Sequence, residues 1–363
     1  MIDRACYEDP AQFAEQCGLI YVSDEEPGIR RRRRGRGFTY LYPDGRVVKD
    51  RHALERIRLL VIPPAWEDVW ICPVDDGHLQ ATGRDDKGRK QYLYHPRWVH
   101  LRNEGKFGRL LHFGRALPTL RSQVHEHLTL SSLSREKVLA TVVRLLDKTF
   151  IRIGNMQYYQ QNNAFGLTTL RDRHVTIEGE RIRFEFQGKS GVQRTVSLAN
   201  RQLARIVRQC REVPGYRLFQ YYDEAGRRQP IESHDVNNYL REITRRDFTA
   251  KDFRTWGGSV TALQELQHRE VPSSETAINR QLVEIIDAVA ERLGNTRAVC
   301  RQYYIHPSLF TAYRQRWLSD VCNHTVSRQN KADSPHALSP EEQALMRVMR
   351  RYHRQQIEEA IEA

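Results

Sequence analysis

The hydrophobic period of the chain changes near residue 105, and this change constrains the fold more than any other feature. Before it, short apolar runs such as Gln91–Tyr94 are bounded by Gly, Pro and Asp, which is typical of β-hairpins. After it, apolar residues recur at helical spacing, as at Val138 and Val142 behind a predicted N-cap at Ser134. The sequence therefore predicts an α+β protein, with a β-rich first part and a mainly α-helical second part.

The first part combines several predicted strands with one predicted helix at about residues 51 to 59. A turn at Pro43–Gly45 separates two apolar runs, and a turn rich in Gly, Asp and Lys separates two more. The predicted strand segments are Tyr40–Tyr42, Val47–Val48, Leu59–Ile62, Val69–Ile71, His78–Ala81 and Gln91–Tyr94.

One β segment interrupts the helical second part. Two runs of alternating side chains lie on either side of Gly188–Gly191, and a period of two residues predicts a hairpin with one packed face. Lys189 lies at the tip of this hairpin. The positions of the packed face are Ile182, Phe184, Phe186, Val192, Arg194, Val196 and Leu198.

Helices are predicted to resume after the hairpin and to continue to the C-terminal region. Ser274 and Gly294 suit the two ends of a helix over 275–293, and Ser339–Glu342 forms a capping box that opens a last, appended amphipathic helix. The other predicted helices cover about 199–212, 235–246 and 256–267. We therefore predict three regions: a β-rich domain over 1–105, a helical domain over 106–326, and a linker with a C-terminal helix over 327–363.

The charge of the chain favours a polyanionic partner. Lys and Arg number 58 against 45 Asp and Glu, giving a formal net charge of +13. Charge alone leaves nucleic acid, an acidic protein and an anionic membrane surface open.

No run approaches the roughly 20 apolar residues of a membrane-spanning helix, and Met1–Pro10 does not resemble a secretory signal. The six cysteines form no Cys-x-x-Cys pair, which favours reduced thiols in the cytoplasm and no metal site.

Four ordered blocks carry a resemblance to a known family. The segment Phe150–Asn155, continued by Gly166–Val175, resembles the start of the catalytic core of poxvirus-like and bacterial type IB topoisomerases. The further blocks are Gly188–Lys189, Lys251–Gly257, and Gly294–Thr296 leading to Arg301–Pro307. Gly83–Tyr94 also resembles part of the DNA-clamping N-terminal domain of that family. The resemblance covers about residues 20 to 320.

The resemblance implies an enzyme that relaxes supercoiled double-stranded DNA without ATP, metal or cofactor. It implies that Tyr304 attacks a backbone phosphate and forms a transient 3′-phosphotyrosyl bond, which conserves the energy of the broken phosphodiester. Tyr303 would take this role only if the register slipped by one residue. The family further implies a bacterial, nucleoid-associated monomer that clamps around DNA.

Four more residues receive catalytic roles from the resemblance. Arg152 and Arg254 would hold the nonbridging phosphate oxygens, because a planar guanidinium can bind two oxygens at once. Lys189 would protonate the departing 5′-oxygen. Asn295 stands where a histidine is commonest in the family, and its amide can donate one hydrogen bond but cannot relay a proton.

The predicted DNA contacts rest on weaker patterns. Matching family positions assign DNA contacts to Gln91, Tyr92, Tyr94 and Tyr158. The alternative is that Tyr92 and Tyr94 share a strand face and pack in the N-terminal core. The run Arg30–Arg34 either neutralises phosphates or forms a solvated loop near the DNA.

Two other functions remain open from the sequence. A tyrosine site-specific recombinase or integrase uses similar Arg, Lys and Tyr chemistry, but it usually carries a histidine where Lys251 stands and a helical N-terminal domain. A noncatalytic DNA-binding protein could keep the fold, although all five site positions are retained here. The retained site positions and the β-rich first part favour the topoisomerase.

Overall fold

The computed structural model describes residues 10–35, 37–326 and 334–362. The predicted absence of a secretory signal within Met1–Pro10 and most of the predicted linker therefore lie outside the described residues. The chain divides into two compact units, Met1–Gly108 and Arg109–Ala363, which are described separately. Among the described helices, none has the length and apolar character needed to cross a bilayer.

The first unit is built on an antiparallel five-stranded sheet with the strand order β2–β1–β3–β4–β5. Its helices are α1 (Pro10–Gln16) and α2 (Arg51–Leu59). Helix α2 begins where the Asp50 carboxylate accepts a hydrogen bond from Ala53 N at 3.0 Å, and its buried Ile57 packs in the core of the sheet. The strands are β1 (Ile29–Arg34), β2 (Gly37–Leu41), β3 (Glu67–Ile71), β4 (Leu79–Arg84) and β5 (Lys90–Tyr94).

The arginine run was predicted either to neutralise phosphates or to form a loop, and the loop prediction is wrong. Arg30–Arg34 makes up most of β1 and pairs in register with β2. Arg31 turns inward and donates to the carbonyl of Pro63 at 3.0 Å, while its guanidinium lies 4.2 Å from the ring centre of Phe38. A strand can hold consecutive arginines here because only alternate side chains face the sheet interior.

Two other predictions for the first unit need correction. The partner of the strand ending at Leu41 is β1, and Val47 contributes only a single bridge to Leu41. The apolar run at Leu59–Ile62 is no strand, since it contains the end of α2 and the turn after it. The predicted hairpin of His78–Ala81 with Gln91–Tyr94 is confirmed as β4 and β5.

The second unit is mainly helical and contains two small sheets. Helix α3 (Pro96–Thr129) crosses the boundary between the units in sequence. The strands form the antiparallel sheets β6–β7–β8 and β9–β10, so the predicted α+β class is confirmed. They are β6 (Val175–Glu178), β7 (Arg181–Gln187), β8 (Gln193–Ala199), β9 (Gln220–Tyr222) and β10 (Arg228–Pro230).

The helices of the second unit begin and end mostly at polar caps. Ser134 and Ser274 cap α4 and α9 through their side-chain oxygens, and Gly294 ends α9 with a left-handed φ of 60°. The helices are α4 (Arg135–Thr149), α5 (Met156–Asn162), α6 (Arg201–Glu212), α7 (Ser233–Thr244), α8 (Ala250–Gln267), α9 (Glu275–Leu293), α10 (Arg297–Tyr303), α11 (Pro307–Arg314), α12 (Leu318–Val326) and α13 (Pro340–Glu362).

The C-terminal helix α13 exists as predicted, but it is not an appendage. Leu345 and Val348 are fully buried in the main core of the unit. Glu342, only 7% exposed, accepts hydrogen bonds from Trp256 Nε1 at 2.8 Å and from both terminal nitrogens of Arg121. Because Trp256 lies on α8, the C-terminal helix helps to fix the position of α8.

The turn before β6 contains a buried histidine whose protonation is linked to folding. His174 Nδ1 accepts a hydrogen bond from Arg171 N at 3.0 Å, and its ring lies 4.3 Å from that of Phe165. Burial, and then the charges of Arg173 and Arg171, lower the pKa of His174 to about 4. The folded chain therefore favours the neutral ring, and stability is lost as the pH falls from about 6.5, where the unfolded ring protonates, toward about 4.

We predict that His174→Gln, which cannot titrate, removes this part of the acid sensitivity. Between pH 7 and pH 4.5 the wild-type free energy of unfolding should fall by about 2 kcal/mol more than that of the variant. Urea unfolding at both pH values measures the difference. Equal losses in the two proteins would mean that His174 does not contribute to the acid sensitivity.

Candidate active site

Helix ends and the second turn of α8 bring four of the predicted site residues of the second unit together. Helix α4 ends at Phe150, whose left-handed φ of 55° turns the chain toward Arg152. Arg254 lies in the second turn of α8, Asn295 follows the left-handed cap of α9, and Tyr304 is the first residue after α10. The side chains thus converge from elements that are distant in sequence.

Arg152 and Asn295 are in direct contact. Nη2 of Arg152 donates to the carbonyl of Gly294 at 3.0 Å and also to Oδ1 of Asn295. This contact fixes the orientation of the Asn295 amide, with its Nδ2 buried and without an acceptor of hydrogen-bond geometry among the described residues. That amide still lowers the pKa of the Cys300 thiol, against the larger effect of burial, which raises it.

Arg254 lies beneath the tyrosine. It is 3% exposed, and its guanidinium donates to the carbonyls of Phe150 and, at 3.0 Å, Leu293. The guanidinium carbon lies 5.1 Å from the ring centre of Tyr304, within the range of a cation–π contact. The structure therefore brings Arg254 and Tyr304 together.

Helix α8 also contacts the main chain at the tyrosine. A Cβ added at Gly258 would lie 2.5 Å from the carbonyl oxygen of Tyr304, so this position admits no side chain without a shift. The next residue, Ser259, accepts a hydrogen bond from His306 N at 2.9 Å. These two contacts hold the segment that follows Tyr304, and neither was predicted from the sequence.

A further arginine of the site was not predicted. Arg194 on β8 donates to the carbonyls of Glu291 and Arg292, both at 2.9 Å, in the last turn of α9. The signal in the sequence was an arginine at a packed position of an alternating strand, between Val192 and Val196. A side chain that carries charge on such a face needs buried polar partners, and here the helix end supplies them.

The site carries positive charge that no carboxylate of the described residues neutralises. Within the described ranges, neither Arg152, Arg194 nor Arg254 forms an ion pair with a carboxylate. Burial, and then the charge of Arg254, lower the pKa of Arg152 to about 10. Burial likewise lowers the pKa of Arg254, and burial followed by the charge of Arg254 lowers that of Arg194. A guanidinium is not deprotonated at neutral pH in proteins, so Arg152 and Arg254 together favour an anion.

Lys189 lies beside Tyr158. The predicted hairpin is confirmed as β7 and β8, and Lys189–Gly191 forms its turn, with a left-handed φ of 65° at Ser190. The ammonium nitrogen of Lys189 lies 5.7 Å from the ring centre of Tyr158, and the Tyr158 phenol in turn influences the pKa of Arg152. Tyr158 therefore contacts Lys189 and interacts electrostatically with Arg152.

The two adjacent tyrosines have different surroundings. Tyr304 lies over Arg254, whereas burial raises the pKa of Tyr303. A raised pKa disfavours the Tyr303 phenolate.

The other predicted DNA contacts belong to the first unit. Tyr92 and Tyr94 are 47% and 39% exposed, and their rings stack with centres 6.0 Å apart. They share a strand face as predicted, but that face is open to solvent, so they do not form part of a buried core. The ammonium nitrogen of Lys90 lies 5.5 Å from the ring centre of Tyr92. The Gln91 amide donates a hydrogen bond to Asp85 at 2.9 Å.

Comparison with known proteins gives one consistent family. A sequence model described as the catalytic core of eukaryotic DNA topoisomerase I matches residues 95–332, and one for the N-terminal domain of bacterial DNA topoisomerase IB matches residues 37–85. DNA topoisomerase 1B of Acanthamoeba polyphaga mimivirus is 30% identical over 285 residues, which cover 77% of this chain and 85% of that protein. The chain belongs to the type IB DNA topoisomerase family.

More distant relatives agree with this assignment. DNA topoisomerase 1B of vaccinia virus strain Copenhagen is 24% identical over 272 residues, covering 74% of this chain and 81% of that protein. DNA topoisomerase 1 of Mycosarcoma maydis is 25% identical over 197 residues, covering 49% and 19%. The predicted enzyme class, a DNA topoisomerase and hence an isomerase, is confirmed.

We predict that Gly258→Ala slows plasmid relaxation by at least about tenfold, because overpacking against a main-chain atom typically costs about 1–3 kcal/mol. The matched control is Gly108→Ala, another helical glycine, whose added Cβ would have no neighbour within 4 Å. Relaxation rates of both variants, with urea unfolding as a check on folding, test the prediction. A fully active Gly258→Ala would show that α8 need not hold the Tyr304 main chain.

Proposed function

We propose that this enzyme relaxes supercoiled duplex DNA by cutting one strand through a 3′-phosphotyrosyl bond to Tyr304 and then resealing it. The observation that carries the proposal is the cluster of guanidinium groups around Tyr304, which no carboxylate in the described part of the chain neutralises. A scissile phosphate is an anion of the right size and charge for such a cluster. The family assignment supplies DNA as the substrate.

The proposed cleavage step needs only water as a proton acceptor besides the groups of the site. The phenol of Tyr304 gives up its proton to water, and its oxygen forms a bond to phosphorus while the bond from phosphorus to the 5′-oxygen breaks. Arg152 and Arg254 would bind the nonbridging oxygens, where negative charge grows in the transition state. Asn295 would add one neutral hydrogen bond through its buried Nδ2.

Lys189 would donate its proton to the departing 5′-oxygen. An alkoxide is a poor leaving group, and a positioned general acid typically contributes about 10²–10⁴-fold. In the reverse direction the neutral amine would take the proton back as the 5′-hydroxyl attacks the phosphotyrosine. Since the ester bond conserves the energy of the phosphodiester, religation needs neither ATP nor a metal ion.

The proposed DNA-binding surface extends beyond the reacting groups. Tyr158 would contact a phosphate beside Lys189, and Gln91, Tyr92 and Tyr94 would contact the duplex from the first unit, which we propose acts as the DNA clamp of a monomer. Exposed aromatic side chains with Lys90 at their edge suit sugar and phosphate contacts. The formal charge of +13 supports association with a polyanion.

We predict that Tyr304→Phe abolishes relaxation, because the variant lacks the oxygen that forms the covalent bond. Wild-type enzyme should relax supercoiled plasmid in EDTA without ATP, and mass spectrometry of a quenched reaction should find a nucleotide on the Tyr304 peptide. Tyr303→Phe is the matched control and should keep activity. The opposite pattern would shift the register by one residue, and exchange between two defined sites without free relaxation would favour a recombinase.

A second prediction concerns Asn295. Asn295→Ala removes a donor from the phosphate and should slow cleavage by about 10²–10³-fold, whereas Asn295→His retains an N–H donor and should lose less. Single-turnover cleavage of a labelled duplex measures both rates. The reverse ranking would rule out donation by Asn295 to the phosphate.

A further inference from the structure

Arg194 touches both of the segments that carry the proposed acid and the proposed amide donor. Its guanidinium is bound by the carbonyls of Glu291 and Arg292, three and two residues before Gly294. Its side-chain stem starts on β8 directly after the Lys189 turn, opposite Phe186 in the hairpin register. One side chain therefore spans from the hairpin to the end of α9.

Two glycines lie so close to the Arg194 side chain that a Cβ at either position would crowd it. A Cβ added at Gly188 would lie 3.1 Å from Cγ of Arg194, and a Cβ added at Gly294 would lie 2.5 Å from its Nη1. Gly188 precedes Lys189, and Gly294 precedes Asn295. The glycine before Lys189 thus packs against the stem of Arg194, and the glycine before Asn295 packs against its guanidinium.

We propose that Arg194 is a positioning residue that locks the Lys189 turn onto the Gly294–Asn295 segment. It acts through Lys189, and the inference rests on the function proposed above, in which Lys189 protonates the leaving oxygen. Arginine suits the task because its planar head can donate to two successive carbonyls at once. A cation at the C-terminal end of α9 is also favoured by the helix dipole.

Loss of the Arg194 guanidinium should therefore slow only the departure of the 5′-oxygen. Without the guanidinium, the hairpin turn loses its fixed distance from Asn295, and Lys189 spends less time at the leaving oxygen. A DNA substrate with sulfur in place of the bridging 5′-oxygen removes the need for a proton, because a thiolate leaves far more readily than an alkoxide. Such a substrate separates positioning of the acid from every other role of Arg194.

The test compares oxygen- and sulfur-bridged duplexes that carry one mapped cleavage site. Arg194→Met keeps the stem against Gly188 and loses the head, and we expect it to slow single-turnover cleavage of the oxygen substrate about 10- to 100-fold, part of the full effect of a general acid. On the sulfur substrate its rate should lie within about threefold of wild type. Arg183→Met, an exposed arginine of the same sheet that pairs with Glu185, is the matched control and should be unaffected on both.

The outcomes distinguish this proposal from the one on which it rests. If Lys189→Met is rescued by sulfur and Arg194→Met is not, Lys189 is the acid but Arg194 does not position it. If Lys189→Met is not rescued, the proposed acid itself is wrong. Normal cleavage of the oxygen substrate by Arg194→Met would also overturn the inference.

Gly188→Ala provides a second variant should Arg194→Met fold poorly. It leaves the guanidinium contacts in place but presses on the stem at 3.1 Å, without demanding a left-handed backbone. We expect a loss of about 3- to 10-fold on the oxygen substrate that sulfur removes. A loss that persists on the sulfur substrate would contradict the link from Arg194 to Lys189.

Discussion

The site depends on cations that are held by main-chain carbonyls at the ends of helices. Arg254 donates to Phe150, the cap of α4, and to Leu293, the last residue of α9. Arg152 donates to Gly294, and Arg194 donates to the two residues before Leu293. The C-terminal end of a helix presents carbonyl dipoles of partial negative charge, so it can satisfy the hydrogen bonds of a guanidinium without cancelling its charge.

This choice of partner has an electrostatic consequence. A buried carboxylate would pair with an arginine and leave little net charge for a substrate, whereas carbonyls leave the cluster cationic. The unpaired charge is costly in the free protein, as the lowered pKa of Arg152, caused first by burial, shows. In the proposed function an incoming phosphate would relieve that cost, so its binding would be favoured most where the arginines are least compensated. The buried carboxylate of Glu342 is placed elsewhere, with Arg121 and Trp256, where it supports α8.

The sequence predicted the elements whose local signals agree with their packing. Helix α9 was found with both ends correct, because Ser274 and Gly294 are strong caps, and the hairpin around Lys189 was found from its period of two. The strand Arg30–Arg34 was missed because charge hid a β pattern that only pairing with β2 reveals. Arg194 was missed as a site residue because its partners are carbonyls of α9, about a hundred residues away, and carbonyls carry no sequence signal.

The asparagine at position 295 is consistent with this electrostatic design. The guanidinium groups of Arg152 and Arg254, which are proposed to bind the phosphate, already supply positive charge, and a protonated histidine there would add repulsion that lowers its own pKa. An amide avoids this, since Oδ1 accepts from Arg152 while Nδ2 stays available as a neutral donor. The same contact that uses the acceptor orients the donor, so Asn295 needs no further partner to be pre-organised. In this chain the arginines supply the positive charge, and the Asn295 amide supplies an oriented, neutral hydrogen-bond donor.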